Sequence, residues 1–212
     1  MRLLIRVVVF VAVLIVGLIG IAFLLPSKVH VERSEFIAAS PATLHAVLNG
    51  FGKFDQWSPW AGLDPDMKVE IGGPAVGIGA RYAWRGNAEV GMGVQEIVAF
   101  VPDRSVTLKL DFEGFGHPAT IMFTIEPKDD GSVVTWSMDA DLGSDPMIRY
   151  VGLMMNKEVE ADYEKGLAKL KTYAERLPPV TPAEPEPTLD DVLPAEEPAA
   201  APETAPETAP AS

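Results

Sequence analysis

The sequence predicts an α+β fold: a curved antiparallel sheet of six to seven strands around one long C-terminal helix, preceded by one transmembrane helix. Three observations carry that reading. Residues 7–25 contain no charged and no polar side chain. Several runs between residues 68 and 142 alternate apolar and polar with period two. From Pro146 to Leu177 the apolar spacing changes to three and four, with no helix-breaking proline.

The apolar run comes first. Nineteen residues at about 1.5 Å each span about 29 Å, close to the ~30 Å thickness of a bilayer's hydrocarbon. Fifteen of them are Val, Ile, Leu or Phe. Insertion of such a run is favourable by several kcal/mol, at about 0.3 to 0.6 kcal/mol per residue. A cleaved signal peptide has an apolar region of about 7 to 15 residues and a small-x-small site. Here the run is longer and ends "AFLLPSK", so it is expected to remain as an anchor over residues 1–26. Arg2, Arg6 and the terminal amine precede it, and Lys28 and Arg33 follow. That bias favours a cytoplasmic N-terminus and a periplasmic or otherwise extracytoplasmic domain.

The other end is a tail, residues 178–212, with ten prolines, eight acids and no basic residue. "APET" occurs twice in tandem. Such a segment cannot bury enough apolar surface to offset its ordering entropy, and is expected to be a disordered, solvated spacer. "TLDDVL", Thr188 to Leu193, is the one place suited to a protein partner.

Between the ends, 27–177 forms a domain with 15 basic and 22 acidic residues, a net of −7. That balance repels phosphate backbones and argues against nucleic acid, and equally against docking on anionic lipid by charge. There is no cysteine, which excludes disulfides and thiolate chemistry.

Within the domain, "SPATLHAVLNG" reads as a short helix. Ser40 suits the N-cap and Pro41 the first helical position. Leu44, Val47, Leu48 and Phe51 share a face. Phe54 to Trp57 add at most one more turn before Pro59. A first strand lies within "KVHVERSEFI", although its alternation breaks near Ser34. "KVEI", "ARYAW", "GVQEIVAF", "VTLKLDF", "ATIMFTIEP" and "VVTWSMDADL" supply the rest, with hairpins at "VPDR", "EGFGHP" and "KDDG". The final helix is capped by Asp145 and Pro146. Gly152 and Gly166 within it each cost about 1 kcal/mol relative to alanine, a sign of close approach to another backbone. One helix cannot fill the whole concavity of a bent sheet, so space is expected between them, with the short helix pair closing one end.

The strings "ASPATLHAVLNGFGKFDQWSPW", "GIGARYAW", "QEIV" and "DYEKGLAKLK" resemble the SRPBCC superfamily, roughly over residues 29–175. This is the helix-grip fold shared by START domains, Bet v 1-like proteins and polyketide cyclase/dehydrase-like proteins. The chain looks most like a membrane-anchored bacterial branch. The resemblance implies a hydrophobic cavity for a lipid-, sterol- or polyketide-like ligand, and in some relatives catalysis inside it.

On that footing Trp57 and Trp60 are expected near the cavity mouth, beside the helix pair. Tyr82 and Trp84 share a strand face, as do Trp136 and Met138; Phe112 and Phe123 lie on inward faces, and Met154 and Met155 on the long helix. Each of these ten candidates also has an ordinary reading as core. Chemistry is harder to find. His30, His45 and His117 share no spacing, and there is no His-Glu-x-x-His string and no Gly-x-Ser-x-Gly elbow. "GGPAVGIG" lacks the lysine of a phosphate loop and reads as a hairpin loop. No catalytic residue, metal site or cofactor is therefore assigned. The leading expectation is a membrane-anchored binding module for a hydrophobic small molecule. The alternatives are a cavity enzyme of cyclase or hydrolase type, and an interaction protein acting through its surface or tail.

Overall fold

The structure is a computed structural model that describes residues 2–114 and 116–180, apart from the side chains of 153–156. Residues 181–212, which hold most of the expected tail and its "TLDDVL" string, lie outside the described residues.

Helix α1 runs Arg2–Ala22, and then come strand β1 (Lys28–Ile37), helix α2 (Pro41–Leu48) and a 3₁₀ turn at Phe54–Gln56. Strands β2 (Lys68–Gly72), β3 (Arg81–Arg85), β4 (Met92–Val101), β5 (Ser105–Phe112), β6 (Ala119–Lys128) and β7 (Gly131–Asp141) lead to helix α3, Pro146–Ala174. Among the described residues the strands form one seven-stranded antiparallel sheet, in the order β1-β7-β6-β5-β4-β3-β2. A one-residue register shift between Ile97 and Ala99 in β4 bends it.

The predicted caps form. Ser40 accepts a hydrogen bond from the Thr43 amide, and Asp145 from the Met147 amide at 2.8 Å. Several boundaries move. The apolar helix begins at Arg2 and ends at Ala22 instead of spanning 7–25, because residues 2–6 continue the helix ahead of the apolar run and the Leu24 and Leu25 amides close turns on the Ile21 and Ala22 carbonyls. α3 ends at Ala174, and the Leu177 amide closes a tight final turn on the Ala174 carbonyl. Beyond it the Val180 amide still reaches Thr43 Oγ1, so the chain follows the domain past residue 178.

The alternation of β1 does not break at Ser34. Val29, Val31, Arg33, Glu35 and Ile37 all lie on the face toward α3, but the middle two are charged. Arg33 bonds Glu160 and, at 2.8 Å, Glu164; Glu35 accepts from Lys171 at 2.7 Å. Charged residues can sit on the inner face because α3 supplies opposite charges there, which no local pattern in β1 reveals. These pairs pin α3 along the β1 edge of the sheet.

The two helix glycines also need a different explanation. A Cβ on Gly166 would lie 2.6 Å from Trp136 Cζ3 and 3.1 Å from Pro59 Cδ, and one on Gly152 would collide with Leu142. The close approach is to side chains, not to another backbone.

The space beneath α3 is filled unevenly. Leu44, Val47, Leu48, Phe51 and Phe54 seal the end of the sheet where β1 finishes, against Val106, Leu108, Phe123 and Ile125. At the end where β1 begins, the space is open.

Candidate functional site: an apolar cavity between sheet and helix

Because α3 lies over β1, the concave face of β3 to β7 is only partly covered. The uncovered part holds a cavity of about 410 Å³. Alternate residues of the strands point into it: Tyr82 and Trp84 from β3, Gln95 from β4, Leu110 and Phe112 from β5, Ala119 and Ile121 from β6, and Trp136, Met138 and Ala140 from β7. Trp60 closes one side, and Val151, Val159 and Tyr163 come from α3.

Three donors on the wall are tied to protein acceptors, while Trp136 Nε1 is buried without a partner among the described residues. Trp60 Nε1 donates to Asp162 Oδ2 at 3.1 Å, Trp84 Nε1 to the Val90 carbonyl at 2.9 Å, and the Tyr82 hydroxyl to Asp55 Oδ1 at 3.0 Å. Trp136 forms the floor, stacked on Tyr163 at 4.0 Å between ring centroids and edge-on to Trp57 at 5.8 Å and Trp60 at 6.0 Å. Burial pushes the Tyr163 hydroxyl well above the ordinary phenol range, and burial with the neighbouring Asp55 carboxylate does the same for Tyr82. Both remain neutral donors at physiological pH. Gln95, 8% exposed, is the buried amide on the wall, and no side-chain hydrogen bond ties it to the described residues.

Six of the ten expected ligand residues thus line the cavity: Trp60, Tyr82, Trp84, Phe112, Trp136 and Met138. Trp57 and Phe123 do not. At 2% and 3% exposed they belong to the packed core beneath, because Phe54 and Trp136 stand between them and the opening. The side chains of Met154 and Met155 lie outside the described residues. Sequence reasoning missed Gln95, Leu110, Ala119 and Ile121. Leu110 and Ile121 were legible as inward strand positions, but Gln95 had no signal: an isolated amide in a strand reads as outward-facing.

The mouth lies at the opposite pole from α2, not beside the helix pair. The carboxylates and imidazole on the wall, Glu89, His117, Asp141 and Glu158, are all exposed at its rim, and Asp162 is bonded to Trp60. Among the described residues, no three His, Asp or Glu side chains cluster as a metal site would require.

The family described as "Polyketide cyclase / dehydrase and lipid transport" matches residues 28–175, from the first residue of β1 to just past the end of α3. The chain belongs to that family. Solved structures repeat the cyclase/dehydrase and lipid-transport architecture at low identity. One is the di-domain ARO/CYC StfQ from the steffimycin biosynthetic pathway, 15% identical with a TM-score of 0.53, covering 70% of this chain and 51% of that one. Another is Ara h 8.0201, 13% identical with a TM-score of 0.51, covering 69% and 97%. A Staphylococcus aureus protein of unknown function is 13% identical with a TM-score of 0.51, covering 70% and 97%. These likenesses concern the fold, and the chain spans about half the length of the di-domain protein. No curated protein matches. α1, outside the matched region, is long and apolar enough to cross a membrane, a test that signal sequences also pass.

Proposed function

We propose that this protein is a membrane-anchored binding module that holds a hydrophobic small molecule, lipid-like or polyketide-like, between its sheet and α3. The observation that carries the reading is the aromatic wall, in which Trp60, Tyr82 and Trp84 donate to protein acceptors. Such a wall removes apolar ligand surface from water, favourable by about 25 cal/mol per Å², while those three donors stay paired. The volume falls in the ~300–1,000 Å³ range of small-molecule sites. Gln95 and the Tyr163 hydroxyl supply the few polar groups that would orient an oxygen-bearing end of the ligand. The domains are 1–26 as anchor, 27–177 as binding domain and 178–212 as tail. The family's description supports the ligand class, and the apolar exposed α1 supports the anchor.

The test uses cis-parinaric acid and the full chain in non-ionic detergent. Trp60, Trp84 and Trp136 are energy-transfer donors on the wall. Saturable transfer at one probe per chain is expected. Ala119→Trp, which projects an indole into the cavity, should weaken it by at least about tenfold while preserving the fold. Absence of saturable transfer, or transfer indifferent to the cavity-filling variant, would sink the proposal.

A further inference from the structure

The exposed residues of the cavity wall are Glu89, His117, Asp141, Val151 and Glu158. The sheet register places four of them at one pole. β1 starts there, with Lys28 opposite Asp141. The antiparallel order brings the end of β7, the β5–β6 turn with His117, the β3–β4 turn with Glu89 and the start of α3 to that same pole.

It is also the pole where the domain meets α1. The Leu142 amide donates to the Ser27 carbonyl at 2.7 Å. Arg149, one turn into α3, donates to the carbonyls of Gly143 at 2.9 Å, Phe23 at 3.3 Å and Leu25 at 3.4 Å, and sits over the Phe23 ring. The Tyr150 hydroxyl donates to the Leu18 carbonyl at 2.7 Å. Leu18 lies four residues before the end of α1, about 6 Å along the helix. A side chain bonded at that level of a membrane span is at headgroup depth or below.

The free face of this clamp is apolar. Met147 is 71% exposed and Val151 45%, and Leu24, just past the end of α1, is 85% exposed. Val151 also belongs to the cavity wall, so the exposed apolar surface of α3 reaches the cavity at that residue, between the polar rim side chains of Asp141 and Glu158. The domain's net charge of −7 gives no electrostatic pull toward anionic lipid, so the contact is one of apolar area with a tyrosine at the interface.

We propose that the first two turns of α3 and the end of α1 lie together in the headgroup region of the bilayer, so that the cavity opens onto lipid and exchanges its ligand with the membrane directly. This rests on the reading of an anchored binding domain. An apolar molecule moving through water would expose its whole surface to solvent, and a mouth set against lipid removes that step.

The absence of native cysteine makes the test clean. Single variants Met147→Cys and Asp103→Cys, the second in the turn at the far pole, are labelled with a nitrobenzoxadiazole dye in full-length protein in phosphatidylcholine vesicles. Some of the lipids carry a spin label at the fifth acyl carbon. The dye at 147 should be quenched severalfold more than the dye at 103. In parallel, Met147→Asp should slow uptake of cis-parinaric acid from vesicles by about tenfold, since it replaces apolar contact area with a charge that is costly to move toward the hydrocarbon. Its occupancy by the same probe in detergent should equal that of the parent. Equal quenching at the two sites, or unslowed uptake, overturns the membrane-facing mouth alone. Failure of the parent to bind the probe in both detergent and vesicles overturns the binding reading, and the mouth falls with it.

Discussion

His45 shows what a single part-buried imidazole does to this fold. It sits on α2 with its ring 5.5 Å from Phe100, its Nδ1 3.9 Å from Asp103 and its Nε2 buried without a partner among the described residues. Burial lowers its pKa, and Asp103 offsets only part of that. The unfolded chain therefore binds this proton more readily than the folded one. Stability from this group is complete above the unfolded value of about 6.5 and is lost as pH falls toward the depressed folded value. Chemical denaturation followed from pH 7.5 downward should show that decline. His45→Gln, which cannot charge, should flatten it, and an unchanged pH slope would refute the assignment. This histidine shares no spacing with His30 or His117, and it does not line the cavity. Its effect is on folding, through an environment built by β4 and the turn after it.

At the scale of elements, α3 decides the site. Its glycines look like defects by helix propensity, since alanine would gain about 1 kcal/mol at each. Gly166 nevertheless lets Trp136 and Pro59 approach the helix axis, which places the floor and one wall of the cavity. Gly166→Ala should lower unfolding stability by about 1–2 kcal/mol despite the better propensity, because its Cβ meets an indole ring fixed by four aromatic neighbours. A stabilised variant in denaturant titration would show that the helix can shift away without cost. The presence of α3 and of β5 to β7 was legible in the spacing of their apolar residues. The meaning of the glycines was only half legible, since spacing records that something comes close but not what it is. β1 was the weakest reading, because Arg33 and Glu35 face inward only by virtue of partners more than a hundred residues away.

At the scale of the whole molecule, the outcome depends on α1. An intact span should keep the full-length chain in the membrane pellet after alkaline carbonate extraction, with the N-terminal residues present by intact mass. Release of a shortened chain into the supernatant would identify α1 as a removed signal sequence and withdraw the anchor. The candidate site was partly readable at this scale: aromatic residues on inward strand faces were identifiable one by one. Which of them line a hollow was not. Trp57 and Trp136 are equally buried and equally aromatic, yet the first is core and the second a cavity floor.

The sequence alone determined the order of elements, their caps, the apolar span and the inward faces of most strands, because these depend on residues a few positions apart. Tertiary structure decided where the hollow lies and where it opens. Both follow from α3 being held along β1 by Arg33, Glu35 and their partners, and from its first turns meeting α1. A filled core and an empty cavity require the same apolar side chains. They differ only in the distance between elements, which long-range pairs set and local pattern does not record.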